Sequence, residues 1–325
     1  MTLRLWTIGA AALLAAVAAC VVRQGDEPTS TNASSIEGGD PVNQDSNPVS
    51  ILFPLSTVMV KTVHYLDDGG TDTESCTGEI LTPNKILTAA HCYPTDETQV
   101  YLYPYGADAG TKPLPTPIVA SGAPAIQPGA ELCDVNQISS CYSNTPSTHF
   151  ADLAVVPISS TINPPYHPVV LGPRGSFAAS HPQGDGVKSP SSWEVGTGLM
   201  NEWISGCVKN AATLNASRSM QWVAMYHLPG NDNTGMFSVP TLWGDRGDSG
   251  GPVYEYAAGP VPSGPLAYNL ILVGTLSSRT PKKCVPGATD YTVQYTSVEY
   301  GDNYDWLVNQ GASVVTDVRS FGASL

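Results

Sequence analysis

Three short segments of the chain carry the residue types that nucleophilic catalysis needs. His91 follows Leu-Thr-Ala-Ala, Asp152 stands in Phe-Ala-Asp-Leu-Ala, and Ser249 lies in Gly-Asp-Ser-Gly-Gly-Pro. A serine hydroxyl is a weak nucleophile, so it needs a neighbouring base with a near-neutral pKa, which histidine supplies. The histidine in turn needs a carboxylate that fixes its tautomer and stabilises the imidazolium. Together the segments predict a Ser-His-Asp site.

The order of these residues along the chain separates the hydrolase classes that share this chemistry. The run around Ser249 also fits the nucleophile turn of α/β-hydrolases, in which the acid and then the histidine follow the serine. The last histidine of the chain is His227, which precedes Ser249. In subtilisin-like enzymes the acid precedes the histidine, whereas here it follows. Both alternatives therefore fail on order.

In this order and with these neighbours, the segments resemble the chymotrypsin/trypsin-like serine peptidases. The resemblance covers Ile36 to about Gln310. It implies an all-β fold of two antiparallel six-stranded β-barrels, chymotrypsin-like, with a short C-terminal helix. The barrels are expected over about 36–160 and 170–300, within a peptidase domain at 36–310, followed by a C-terminal tail at 311–325. The Pro-rich stretch at 162–168 would link the two halves.

The same resemblance implies a role for each site residue. Ser249 attacks the scissile carbonyl, His91 carries the proton and Asp152 orients His91, while the amides of Gly247 and Ser249 bind the oxyanion. The implied function is a serine endopeptidase that hydrolyses protein or peptide substrates through an acyl-enzyme. Two alternatives stay open: a catalytically inactive homologue that acts as an exported binding protein, and a non-enzymatic surface lipoprotein built on a β-sandwich.

The resemblance also locates a substrate pocket. In the family, an aspartate six residues before the serine selects Lys or Arg at the cleavage site, and this chain has Trp243 there. Ser277 is expected to support Asp152, and Arg279 replaces a family glycine in the strand that lines the pocket. Because an indole carries no negative charge to neutralise a buried cation, we expect cleavage that is not Lys/Arg-specific. Arg246 and Arg279 either favour an acidic substrate residue or lie solvated on the surface.

The cysteines suggest an exported protein with disulfides. The chain has seven, and removing Cys20 leaves six, an even number that in an exported chain suggests three disulfides. By resemblance, Cys76–Cys92 braces the loop of His91, and Cys133–Cys141 closes a short loop before Asp152. Cys207 and Cys284 are then left, and their pairing stays open. The family more often joins the latter to a cysteine four residues before the serine, where this chain has Asp245.

The N-terminal region predicts export and processing. Residues 1–20 have one positive charge and an apolar run, which are typical of a signal peptide. The run ends at Cys20 in a lipobox-like sequence that predicts lipidation and a membrane tether; a plain secretory signal is the alternative. Residues 21–35 are a polar linker or propeptide. By resemblance, cleavage before Ile36 frees an ammonium that pairs with Asp248; alternatively, Ile36 simply begins the first strand.

Composition limits what else the protein can do. The net charge of −14 disfavours nucleic-acid binding, which needs a basic face. No Cys or His spacing predicts a metal, so we expect no cofactor. We also expect a monomer. Abundant glycine and proline between short apolar runs favour strands, with one terminal helix at Asp302–Gln310 begun by Asp302 as its cap. The predicted strands are Ser56–Val63, Gly78–Leu81, Lys85–Ala89, Gln99–Tyr103, Asp152–Ile158, Ser219–Tyr226, Leu270–Leu276 and Tyr291–Val298.

Overall fold

The structure is a computed structural model, and the part of the chain that it describes is mostly strand. It describes residues 40–42, 50–65, 71–105, 108–130, 151–175, 192–196, 203–204, 207–208, 220–225, 236–240, 247–257, 269–280 and 292–315. The strands before residue 160 are β1 (Asp40–Pro41), β2 (Thr57–Tyr65), β3 (Thr71–Thr82), β4 (Lys85–Thr88), β5 (Gln99–Tyr101), β6 (Ile118–Val119), β7 (Ala125–Ile126) and β8 (Ala154–Pro157).

The later strands lead to one α-helix. They are β9 (Val170–Leu171), β10 (Ser192–Gly196), β11 (Trp203–Ile204), β12 (Cys207–Val208), β13 (Gln221–Met225), β14 (Met236–Pro240), β15 (Pro252–Ala257), β16 (Asn269–Thr280), β17 (Thr292–Ser297) and β18 (Ser313–Val314). The helix α1 spans Gly301–Asn309, and short 3-10 helices span Ser50–Leu55 and Ala90–Cys92. None of the helices in the described part of the chain has the length and apolar character that a membrane span needs.

The first sheet is antiparallel and curls back on itself. Its strand order is β6-β5-β2-β3-β4-β8-β7. Beyond β6, a bridge pairs Ala120 with Ile158, and the Ser159 amide donates to the Val119 carbonyl at 3.0 Å. The segment after β6 is thereby joined to the segment after β8. Along β2 the side chains alternate between two buried clusters, because Val58 and Val60 pack in one while Met59 packs in the other.

The second sheet carries the C-terminal half of the chain. Its order is β1-β13-β10-β15-β16-β17-β14, and β9 lies parallel to both β16 and β18. A separate hairpin pairs β11 with β12. One large apolar cluster contains side chains from both sheets, including Leu87 and Leu153 from the first and Tyr254 and Leu272 from the second. This shared core fixes the first sheet against the second, and the site lies where the two meet.

The C-terminal segment differs in detail from the sequence prediction. The predicted helix is present, but it begins at Gly301 after Tyr300, and no side chain caps it. Asp302 is therefore not the cap; it lies exposed in the first turn, where its charge still favours the positive end of the helix dipole. Residues 313–314 form β18 on the second sheet, so regular structure continues past the predicted domain end at 310.

Candidate active site

His91 lies in the short helix that follows β4 and is held there by a disulfide. The helix spans Ala90–Cys92, and the chain leaves it through Tyr93, whose φ of 44° is left-handed. A disulfide joins Cys92 to Cys76 on β3, with the two Cα atoms 6.4 Å apart. Because Cys92 directly follows His91, this bond limits how far the histidine can move from β3. It is the pairing that the family resemblance implied.

Asp152 contacts His91 with both of its carboxylate oxygens. His91 Nδ1 lies 2.6 Å from Asp152 Oδ2, and the His91 amide donates to Oδ1 at 2.8 Å. Asp152 comes just before β8, which pairs with β4, so the antiparallel pairing brings the two residues together. The carboxylate accepts from the backbone as well as from the ring, which fixes both the position and the tautomer of the imidazole.

A third group reaches the same carboxylate from the second sheet. The hydroxyl of Ser277, on β16, donates to Asp152 Oδ2 at 2.6 Å. Both side chains are buried, with exposed fractions of 3% for Ser277 and 6% for Asp152. The hydrogen bond therefore crosses between the sheets out of contact with bulk water. The structure thus places Ser277 at the contact that the sequence predicted for it.

The electrostatic environment shifts the pKa values of both partners. Burial disfavours the charged imidazolium, but the Asp152 charge, its hydrogen bond and the charge of Glu74 outweigh that, so the pKa of His91 is raised. Burial also acts against the charged form of Asp152. The His91 charge and the hydrogen bonds from His91 and Ser277 outweigh it and lower the pKa of Asp152. The pair is arranged to stabilise a protonated histidine beside an ionised aspartate.

Ser249 lies in a tight turn that is fastened to both sheets. The amide of Gly250 donates to the Leu276 carbonyl at 2.7 Å, and the Leu276 amide returns a bond to the Gly251 carbonyl at 2.8 Å. Thr77, on the first sheet, donates through its amide to the Ser249 carbonyl at 2.8 Å and through its hydroxyl to the Gly247 carbonyl at 2.8 Å. The turn is thereby anchored to β3 and β16 together.

The Ser249 backbone is also next to the disulfide that braces His91. Its carbonyl oxygen lies 3.8 Å from Cys92 Sγ. His91 and Asp152 flank β4 and β8 of the first sheet, whereas Ser249 precedes β15 of the second. The structure therefore brings the three predicted residues to one junction between the sheets.

Glycine is required in this turn where the backbone passes closest to the first sheet. Gly250 has φ +79°, and a Cβ there would lie 2.3 Å from Thr88 Oγ1, 2.4 Å from the Thr77 carbonyl oxygen and 2.7 Å from the Ala89 nitrogen. Two of these three atoms belong to the backbone, so they cannot rotate away. A side chain at this position would push the serine turn off the first sheet.

The backbone amides of the turn fall into two groups. Those of Gly250 and Gly251 donate to the carbonyls of Leu276 and Asp248. Those of Gly247 and Ser249 have no main-chain acceptor among the described residues. Gly247 has φ +95°, a conformation that glycine adopts readily.

Several predicted site residues lie outside the described residues. These are Cys20, Ile36, Trp243, Arg246, Cys133, Cys141 and Cys284. For Arg279 and Cys207 only the backbone is described, in β16 and β12. Asp248 is fully buried, and β1, which begins four residues after Ile36, pairs with β13 of the second sheet.

Two residues that contact or influence the site escaped the sequence analysis. Thr77 anchors the serine turn, and Glu74 is an exposed carboxylate on the same face of β3 as Cys76. Both lie in the run Glu-Ser-Cys-Thr that precedes the predicted strand at Gly78–Leu81, and β3 extends back through that run to Thr71. The sequence signal that could have identified Thr77 is its position directly after Cys76, the cysteine that braces His91.

Comparisons with known proteins bear on the whole of this arrangement. The family model described as Trypsin matches residues 38–298, a span that includes His91, Asp152 and Ser249. No curated protein matches the chain. Within the described ranges, no group of three or more His, Cys, Asp or Glu side chains is placed to hold a metal ion.

Proposed function

The chain belongs to the trypsin family, a family of serine peptidases that act on proteins, and from this premise we propose that it is a serine endopeptidase with His91, Asp152 and Ser249 as its catalytic triad. The observation that carries the proposal is the 2.6 Å contact between His91 Nδ1 and Asp152 Oδ2, at the junction that also holds the Ser249 turn. The chemistry that follows requires only groups of this chain and water.

The first half-reaction forms an acyl-enzyme. Ser249 Oγ attacks the scissile carbonyl carbon as its proton passes to His91, and Asp152 stabilises the resulting imidazolium. The carbonyl oxygen becomes an oxyanion bound by the amides of Gly247 and Ser249. Loss of one such donor typically raises the barrier by about 2.7–4 kcal/mol. The tetrahedral intermediate collapses as the C–N bond breaks, and His91 gives its proton to the leaving amine.

The second half-reaction restores the enzyme. Water attacks the acyl carbon while His91 accepts one of its protons, and a second oxyanion forms at the same two amides. Collapse breaks the bond to Ser249 Oγ, which takes the proton back from His91. The overall products are a carboxylic acid and a free amine. Each turnover therefore breaks one peptide bond and consumes one water molecule.

A fluorophosphonate probe tests the proposal and separates it from the inactive-homologue alternative. The probe forms a phosphonate ester with an activated serine and loses fluoride, so native protein should become labelled and Ser249→Ala should not. Ser297→Ala is the matched control, because it removes the hydroxyl of another buried serine and leaves the nucleophile. Absence of labelling in folded native protein cleaved before Ile36 would favour a binding protein.

The finer architecture is part of the same proposal. We propose two six-stranded barrels over about 36–160 and 170–300. For the first, the Ala120–Ile158 bridge supports closure, with β6 and β7 acting as one interrupted strand against β8. An experimental structure tests it: the first barrel should close through 118–126, and the site should lie between the barrels. Cys133–Cys141 and Cys207–Cys284 remain proposed disulfides, which mass mapping of unreduced peptides would test.

For cleavage specificity we propose that Lys and Arg are not preferred. The support is the sequence, which has Trp243 where a Lys/Arg-selective relative has aspartate, and burying an unpaired cation is costly. Arg279 lies on β16, the strand that the family resemblance assigns to the lining of the pocket, and would add a positive charge there. Cleavage of a peptide library by native protein should favour uncharged or acidic residues before the cut. A clear Lys/Arg preference would show that Trp243 is not at the base of the pocket.

We further propose that the protein is exported, tethered through Cys20 and activated by cleavage before Ile36. The support is the signal-like N-terminal sequence and the fully buried Asp248, which the freed ammonium of Ile36 would pair with. Activation would then also release a soluble monomer. N-terminal sequencing of active protein should begin at Ile36. Full activity of a variant whose 34–37 segment resists cleavage would contradict the scheme.

A further inference from the structure

A carboxyl group with no role in the proposed chemistry is buried between the two sheets. Glu79 on β3 is fully buried, and its Oε1 accepts a hydrogen bond from the Thr275 hydroxyl on β16 at 3.0 Å. Its Oε2 is buried without a hydrogen-bond partner among the described residues. Glu79 therefore joins a strand of the first sheet to a strand of the second.

The surroundings of Glu79 contain no cation in the described part of the chain. Its register partners are Thr57 on β2 and Leu87 on β4, both uncharged. The titratable group that faces it is the phenol of Tyr254 on β15, which bonds Thr57 Oγ1 at 2.9 Å. The ion pairs among the described residues are those of His91 with Asp152 and of Arg174 with Asp305.

These surroundings favour the neutral carboxylic acid. Burial raises the pKa of Glu79 well above its ordinary value, and the Thr275 hydrogen bond opposes this only in part. Burial and the Glu79 charge likewise raise the pKa of Tyr254. A carboxylate here would face a neutral phenol with no counter-charge from the described residues, an arrangement that is costly in a protein interior. A carboxylic acid, in contrast, needs no counter-ion.

The two residues that this hydrogen bond joins are neighbours of the anchors of the serine turn. Thr77, two residues before Glu79 on β3, holds the Gly247 and Ser249 carbonyls. Leu276, directly after Thr275, exchanges backbone bonds with Gly250 and Gly251. The next residue on β16, Ser277, donates to Asp152. Glu79 and Thr275 thus lie on the same segments of β3 and β16 that anchor the serine turn and contact Asp152.

We propose that Glu79 is a positioning residue whose neutral carboxyl group holds β3 against β16, and that its ionisation disengages the serine turn and turns activity off as the pH rises. This rests on the proposed peptidase activity. Proton loss leaves a charge between the sheets, which either admits water or forces the strands apart. In both cases Ser249 and Asp152 lose their alignment, although neither residue itself has changed charge.

The pH dependence of activity in Glu79→Gln tests the proposal. Glutamine keeps the shape and the acceptor for Thr275 but cannot ionise. With kcat/KM normalised to each protein's own maximum, native protein should lose about tenfold per pH unit above the midpoint of its alkaline limb. Glu79→Gln should keep its activity through that midpoint and decline only where the Ile36 ammonium of the proposed activation pair loses its proton. Urea unfolding gives a second readout. The native state binds the Glu79 proton more tightly than the unfolded state does, so the free energy of unfolding of native protein should fall as the pH rises above about 4.3. Glu79→Gln lacks this proton, so its free energy of unfolding should rise relative to that of native protein over the same pH range.

A second variant keeps the test decisive if Glu79→Gln does not fold. Thr275→Val removes the hydrogen bond that favours the ionised form, so the alkaline midpoint should move to higher pH with Glu79 still present. The proposal is overturned if Glu79→Gln loses activity at the native midpoint, or if Thr275→Val leaves that midpoint unchanged. Failure of the native protein to hydrolyse peptides or to take up the probe at any pH would instead overturn the proposed function.

Discussion

Ser277 and Asp152 belong to different sheets, yet the hydroxyl of one donates to the carboxylate of the other at 2.6 Å. Asp152 Oδ2 therefore accepts from the second sheet while it also contacts His91 Nδ1 within the first. The alignment of the histidine therefore depends on the two sheets keeping their relative position.

Ser277→Ala should lower kcat/KM by about 10–100-fold. A hydrogen bond to a charged group contributes about 1.5–3 kcal/mol, and without it Asp152 is less firmly placed and its pKa is less depressed. Ser297→Ala is the matched control, because Ser297 is a similarly buried serine on the neighbouring strand β17. Steady-state kinetics on one peptide substrate checks it. If the two substitutions lowered kcat/KM equally, the hydrogen bond from Ser277 to Asp152 would not be the cause of the loss.

Glu74→Gln should move the acid limb of kcat/KM to lower pH. His91 acts as a base only when neutral, and the negative charge of Glu74 helps to raise its pKa. Removing that charge lowers the pKa, so activity persists further into the acid range. The shift should be small and should shrink as salt is added, because Glu74 is exposed. Asp108→Asn, an equal charge change at another exposed residue, should leave the limb in place. An identical limb in native and Glu74→Gln protein would contradict the prediction.

Gly250→Ala should destabilise the protein far more than Gly175→Ala. Both glycines have positive φ, +79° and +69°, so each substitution carries a similar backbone strain of about 1–2 kcal/mol. At Gly175 a Cβ would meet nothing within 4 Å, whereas at Gly250 it would overlap the backbone of the first sheet. Overlap of this kind adds about 1–3 kcal/mol or more. Denaturant unfolding compares the two variants. Equal losses of stability would show that the serine turn can move away from the first sheet without lowering the free energy of unfolding.

The candidate site residues have more distinctive sequence neighbours than the strands around them do. The segments of His91, Asp152 and Ser249 have distinctive neighbours, and long alternating or apolar runs such as those of β2 and β16 are recognisable locally. The strands β10, β14 and β15 were not predicted, because a polar residue interrupts the short apolar run of each: Glu194, Ser238 and Glu255. Short strands of this kind are selected by distant partners rather than by their own pattern.

The buried carboxyl of Glu79 shows why part of the site could not be predicted. A glutamate between Gly78 and Ile80 has no local feature that marks it as buried, and β3 is buried on both faces here because the second sheet covers one of them. The role of Thr77 has the same origin. Its two bonds to the serine turn join residues 170 or more positions apart, a contact that only the packing of the sheets creates.

The most direct test of the account is hydrolysis of an unfolded protein substrate by native protein and by Ser249→Ala. Before the assay, both proteins are cleaved on the N-terminal side of Ile36, and circular dichroism is used to show that both are folded. Newly formed α-amino groups should appear with native protein, and the rate with Ser249→Ala should be lower by about a millionfold, the loss typical when such a nucleophile is removed. Equal rates for the two proteins, or no hydrolysis by the folded native protein, would contradict the assignment of Ser249 as the nucleophile of a peptidase.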